Sequence, residues 1–154
     1  MTERRNAHQP TRVSSGSPFE DVIGFSRLVR SDDRILVSGT GPIWPDGSCP
    51  DDPGEQARRC FDIIAASLTQ VGARLADIVR TRMFLISASD AEAVGAVHGE
   101  LFGAIRPAAT MIVVAGLLDP RWKVEIEAEA IVDQLSDDRP AGITGAPRDP
   151  SSAE

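Results

Sequence analysis

Lys123-Val-Glu-Ile-Glu-Ala-Glu-Ala-Ile-Val132 is the stretch whose reading decides the fold. Val124, Ile126, Ala128, Ala130 and Val132 recur every second residue, and Glu125, Glu127 and Glu129 fill the positions between. Successive side chains of a strand point to opposite faces, so this is a strand with one apolar and one acidic face. The apolar face needs a layer of helices to cover it. Just upstream, Ala108-Ala-Thr-Met-Ile-Val-Val-Ala-Gly-Leu-Leu118 is a nearly continuous apolar run, which predicts a strand buried on both faces. Asp119-Pro-Arg121 supplies the turn between the two.

Further back, Asp77-Ile-Val-Arg-Thr-Arg-Met-Phe-Leu-Ile86 is β-branched and alternating at its start, and reads as a third strand. Two helical patterns flank it. The first opens with Asp52 as cap, Pro53 at the first helical position and Glu55 completing a variant of the capping box. Its stripe of Ala57, Phe61, Ile64, Leu68 and Val71 lies on one face, and Gly72 stops it. The second opens on Ser89 with Glu92, carries Val94, Val97, Leu101 and Ile105 on one side, and ends at Pro107. Phe25-Ser-Arg-Leu-Val-Arg30 and Arg34-Ile-Leu-Val-Ser38, joined by Ser31-Asp-Asp33, predict a hairpin. The segment from Gly39 to Pro50 holds too much Gly and Pro for regular structure. The order is β-β-α-β-α-β-β: an α/β (α+β) single domain, a mixed sheet with two helices on one face. The other face stays uncovered, which predicts a homo-oligomer.

The chain has 154 residues, 42% hydrophobic and 25% charged, enough for one domain. That domain is expected over residues 12–133, between a polar flexible tail at 1–11 and a Pro, Gly, Asp and Ser-rich flexible tail at 134–154. No apolar run reaches the ~18 residues that span a bilayer, and residues 1–9 lack the apolar core of a secretory signal. A cytoplasmic protein with no membrane partner is expected. The net charge of −7, the scattered arginines and an aromatic content of 5% without Tyr argue against nucleic acid. Cys49 and Cys60 read as reduced thiols, and with His8 and His98 as the only histidines no metal site is expected, nor any cofactor.

Ile23-Gly-Phe-Ser-Arg27, Val37-Ser-Gly39, Arg80-Thr-Arg-Met-Phe-Leu85, Arg106-Pro-Ala-Ala-Thr110 and Val124-Glu-Ile-Glu-Ala128 occur in that order. The series resembles the Rid (YjgF, or L-PSP endoribonuclease) family across nearly the whole core. The resemblance implies a chorismate-mutase-like fold and a homotrimer with a small-molecule cleft at each subunit interface. It also implies hydrolysis of reactive enamines and imines to a keto acid and ammonia. An arginine would grip the substrate carboxylate, and an acid or backbone group would position water. Glu125 matches a family acid. Ala109, however, stands where the family's deaminases carry that arginine, Gly95 replaces a usual asparagine, and Phe25 a usual tyrosine.

The expected site is therefore Glu125 as the catalytic group, with Phe25, Ser38, Gly39, His98, Arg106, Ala109 and Thr110 against a small carboxylate or carbonyl metabolite. Arg106, Arg80 and Arg82 are the arginines that could stand in for the lost grip. Each candidate also has a plain reading. Glu127 and Glu129 suit a face paired with arginine, His98 suits a structural role beside an apolar stripe, and strand-end hydroxyls such as Ser38 and Thr110 usually bond nearby backbone. Trp44 and Trp122, in loops, suit packing caps, with cleft lining as the alternative. Two functions stay open: a divergent hydrolase of an imine, enamine or amide, and a non-catalytic trimer that binds a metabolite. RNA cleavage, suggested by the family's older name, fits the acidic charge poorly.

Overall fold

The structure, a computed structural model, describes residues 9–132; the 134–154 tail and most of the 1–11 tail expected above lie outside them. Six strands form one sheet in the order β1-β2-β3-β6-β4-β5. β1 (Thr11–Val13), β2 (Leu28–Ser31) and β3 (Arg34–Thr40) are antiparallel neighbours. β6 (Val124–Ile131) is antiparallel to β3 on one side and to β4 (Ile78–Leu85) on the other. β5 (Ala108–Val113) runs parallel to β4 and closes the far edge. Parallel neighbours need a crossover, and helix α3 (Ala91–Phe102) supplies it.

The last strand in the chain thus sits in the middle of the sheet. Val124, Ile126, Ala128, Ala130 and Val132 are all buried, as their alternation predicts. They meet helix α2 (Pro53–Thr69), whose Ala57, Cys60, Phe61, Ile64 and Leu68 are almost fully excluded from water. Each such large side chain contributes about 1.5–3 kcal/mol of burial. The punctuation of α2 is as its sequence implies: Asp52 accepts from the Glu55 amide at 2.7 Å, and Pro53 opens the first turn. Val94, Val97 and Phe102 of α3 complete the layer, with Phe61 and Phe102 edge-on at 5.2 Å.

Several expectations need correction. The sheet begins at Thr11, within the expected tail, and a short helix α1 (Pro18–Ile23), capped by Ser17, precedes the hairpin. The hairpin's first strand starts at Leu28, so Phe25 and Ser26 lie outside it. Ser89 does not cap α3; it lies in a 3-10 turn (Ala88–Asp90) that Ser87 caps, and α3 stops at Phe102 rather than running to Pro107. Arg106, whose amide donates to the Phe102 carbonyl at 2.8 Å, has a φ of 56°, in the left-handed region that turns the chain out of the helix. The run from Ala108 to Leu118 is not a doubly buried strand. Only Ala108–Val113 pairs, on one side, and Ile112 and Val113 stand about half exposed at 46% and 54%. A hydrophobic run reports that water is excluded, and cannot say whether the cover comes from the same chain.

The face away from the helices carries Leu36, Phe84, Ile112 and Ile131, interleaved with charge. It is not a bare apolar surface. Arg82 pairs with Glu127, and Arg80 and Arg34 reach Glu129 at 3.7 and 3.4 Å. Among the described residues no helix is long and apolar enough to cross a membrane.

Asp52→Ala removes the acceptor that holds the first turn of α2. A loss of about 1 kcal/mol is expected in urea unfolding at fixed protein concentration, and Asp52→Asn should recover most of it.

Candidate functional site

The glutamates of β6 have different partners because of what lies opposite them on β4. Glu129 faces Arg80 and Glu127 faces Arg82, whereas Glu125 faces Phe84. Two of the three acids are therefore neutralised across the strands, and Glu125 is left without a cation in contact. On its other side the β3–β6 register shifts between Val37 and Thr40. Such an irregularity turns a strand and opens its ladder. Gly39 sits in this break, and a Cβ there would collide with the Glu125 carboxylate. The glycine is what gives the carboxylate its room.

The result is a cavity of about 410 Å³ bounded by Phe25, Arg27, Ser38, Gly39, Trp122 and Glu125, with Leu118 at its rim. A second hollow on the other side of Glu125 is lined by Phe84, Val114 and Leu117. No described residue donates a hydrogen bond to Glu125, and burial pushes its pKa above the ordinary carboxylate value. The Arg27 charge opposes that shift and Glu127 adds to it. A carboxylate that is partly desolvated and free of donors is suited to accept a proton from a water molecule.

In the sequence Arg27 stands out only as part of the Ile23–Arg27 stretch and of the expected first hairpin strand, and its role is set by its surroundings. Its side chain is only 3% exposed. Nη1 donates to the Gly39 carbonyl at 2.5 Å and the Thr40 hydroxyl at 3.0 Å, Nε donates to Ser15 Oγ at 3.1 Å, and the Glu20 carboxylate lies 4.0 Å away. The guanidinium stacks over the Phe25 ring at 5.3 Å. Glu20 is itself held by Ser14 and by the amide and hydroxyl of Ser15. No pattern in the sequence marks an arginine as buried, because the acid that compensates it comes from α1 and the carbonyl it grips from the break in β3.

The expected residues fall into two groups. Phe25, Ser38, Gly39 and Glu125 share the cavity. The Ser38 hydroxyl already donates to the Ser26 carbonyl at 2.7 Å, the backbone use that strand-end hydroxyls commonly have. Trp122 is buried, edge-on to Phe19 at 6.1 Å and over Gly41, and it also lines the cavity; Trp44 lines a separate groove beside it. His98, Ala109 and Thr110 are elsewhere in the same chain, at the β5 edge. Ala109 lies in register with Thr81, on the helix-covered side, and Thr81 Oγ1 is 2.9 Å from His98 Nε2. The His98 ring packs against Phe61 and Phe102, and burial lowers its pKa. Thr110 lies in register with Arg82 on the opposite face, and Arg106 is exposed at the end of α3. β4 and β6 separate this edge from β3. Among the described residues no three of His, Cys, Asp and Glu converge as metal ligands.

This arrangement has close counterparts. The model of the family described as endoribonuclease L-PSP matches residues 17–132. The chain belongs to that family. Rv2704 of Mycobacterium tuberculosis, a member of the YjgF/YER057c/UK114 family, is 43% identical with a TM-score of 0.74, over 80% of this chain and 100% of that one. An uncharacterized protein of Streptomyces coelicolor, SCO2049, is 39% identical over 77% of this chain and 90% of its own length. The 2-iminobutanoate/2-iminopropanoate deaminase of Escherichia coli K12 is 35% identical over 63% of this chain and 78% of its own length. Membership of the L-PSP family accounts for the sheet and the helix layer, and relatives within it include imine deaminases.

Glu125→Gln should reveal the cost of the ionised carboxylate. Its folded pKa lies above its unfolded value, so the ionised form is disfavoured in the fold and the penalty is full only above the folded pKa. The variant should melt higher than the parent at neutral pH. The difference should vanish as pH falls below the ordinary carboxylate range, which thermal melts across pH will show.

Proposed function

We propose that this L-PSP family protein hydrolyses the C=N bond of a small imine bearing a carboxylate, in a cleft completed by further copies of the chain. The observation that carries the reading is Glu125, a donor-free carboxylate with a raised pKa in a cavity of about 410 Å³. The deaminase activity of the Escherichia coli relative supports it.

The chemistry is balanced by one water molecule. Glu125 takes a proton from water as the oxygen adds to the C=N carbon, whose nitrogen is protonated in turn. The carbinolamine then collapses: Glu125 takes its hydroxyl proton and passes it to the nitrogen, which leaves as ammonia when the C–N bond breaks. The products are a ketone and ammonia, with Glu125 back in its starting state. An enamine enters the same sequence after tautomerising to the imine. The step needs ionised Glu125.

A homotrimer fits the half-exposed β5 edge and the apolar residues on the open sheet face. It would bring the β5 edge of one copy, with His98, Ala109 and Thr110, toward the Glu125 cavity of another. Ala109 favours a second reading, in which the same cleft binds a metabolite without turning it over. A side chain of one carbon offers no charge to the carboxylate, and a charge-assisted contact is worth about 1.5–3 kcal/mol.

Purified protein added to an amino-acid oxidase and semicarbazide separates the two. A deaminase lowers the rate of semicarbazone formation, and Glu125→Gln should cut that effect by about 10²-fold or more. Activity should also fall as pH is lowered through the Glu125 titration, above the ordinary carboxylate range, and this acid limb should be absent from the variant. Ligand-induced stabilisation with unchanged semicarbazone formation would establish the binding protein instead. Light scattering is expected to return the mass of three chains; a stable monomer would remove the cleft.

A further inference from the structure

We propose that Arg27 is the carboxylate-binding residue of this site, taking the place of the guanidinium that Ala109 cannot supply. The inference rests on the catalytic reading above and adds to it the group that holds a carboxylate bonded to the reacting C=N carbon.

Three of the guanidinium's edges can be assigned. Nε is held by Ser15, Nη1 by the Gly39 carbonyl and Thr40, and the flat face by Phe25. Nη2 has no hydrogen-bond partner among the described residues. Yet among those residues every side-chain nitrogen or oxygen shut away from water does have a partner. Nη2 is therefore not shut away from water, although the side chain as a whole is only 3% exposed. Arg27 lines two adjoining cavities that share Ser17, Gly41 and Ile43. One of them contains Glu125. The other contains a second guanidinium, Arg59, whose Nε is tied to the Ile43 carbonyl at 2.7 Å.

A buried cation normally carries its full set of partners, since an unmet donor in a dry setting costs about 1–3 kcal/mol. Arg27 has one acid near it, Glu20, and that carboxylate is already engaged by Ser14 and Ser15. The other acids facing the cavity are Glu125 and Glu127, neither close enough to form an ion pair with Arg27, and Glu127 is bound to Arg82. The guanidinium is thus fixed by Ser15, the Ser38 and Gly39 carbonyls, Thr40 and the Phe25 ring, and still has charge to offer. Rigidity matters here, because a preorganised fork gives up little entropy on gripping a carboxylate. The cavity then presents a cation on one wall and a proton acceptor on another. An α-imino acid has the matching pair, a carboxylate and an electrophilic carbon on adjacent atoms. Grip and water-positioning come from one chain, without recourse to position 109.

The test is discrimination between 2-oxobutanoate, a product-like keto acid, and its neutral amide, measured by calorimetry. The parent protein should prefer the acid by about 10-fold or more, Arg27→Gln should bind the two alike, and Arg27→Lys should keep part of the preference. A parent without preference, or an Arg27→Gln variant that keeps it, overturns the proposal. Because Arg27 also braces α1 and β3, Arg27→Gln may not be assumed to fold. Crystals of the unaltered protein grown with 2-oxobutanoate then decide the matter: the carboxylate lies within hydrogen-bond distance of Nη2 or it does not. Outcomes for the catalytic reading are separate. Carboxylate preference through Arg27 with no effect on semicarbazone formation refutes catalysis alone, and catalysis with an unaltered preference in Arg27→Gln refutes Arg27 alone.

Discussion

β6 is hydrogen-bonded along both edges, and the remaining structure follows from what its two faces must do. Its apolar face presents Val124, Ile126, Ala128 and Ala130 to α2 and α3, which defines where the core lies. Its acidic face then has to put three carboxylates in a row on the other side of the sheet. Like charges two residues apart on one strand repel, so each needs a counter-charge or water. β4 supplies counter-charges for two of them, Arg80 and Arg82, and presents Phe84 to the third. The free carboxylate is therefore a consequence of register. Slip β4 by two residues and Glu125 would be neutralised like its neighbours.

The break in β3 completes the arrangement. A regular strand would place a side chain over Glu125, and Gly39 places none. The same break turns the Gly39 carbonyl toward Arg27, so one irregularity frees a carboxylate and anchors a cation. Cation and carboxylate consequently share a cavity while remaining apart. Had they touched, each would have quenched the other and neither would be available to a ligand. Membership of the L-PSP family explains the scaffold on which this is built.

The β5 edge shows a different economy. Its residues are as apolar as those of an interior strand, yet only β4 pairs with it and Ile112 and Val113 stand half exposed. A strand edge offers unpaired backbone groups and invites association. In the proposed oligomer, Leu36, Phe84 and Ile112 of the open face would provide apolar contact between copies. His98 of α3 meets Thr81 of β4, the strand beside this edge, and is packed between aromatic rings.

The sequence by itself determined the elements and their faces: the strict alternation of residues 124–132, the Asp52 and Pro53 start of α2, the hairpin, and the place of Glu125 on an acidic face. These are legible because periodicity and caps are local properties of the chain. It also carried the family resemblance that the match over residues 17–132 bears out. It overstated β5, because an apolar run does not say which molecule covers it. It passed over Arg27, and it grouped His98 and Ala109 with Glu125, whereas in a single chain β4 lies between Ala109 and Glu125 and His98 packs on the helix-covered face. Those matters only the tertiary structure decided. Which glutamate lacks a cation depends on pairing between residues some forty positions apart, and whether an arginine is buried depends on an acid, a carbonyl and an aromatic ring brought to it from separate elements.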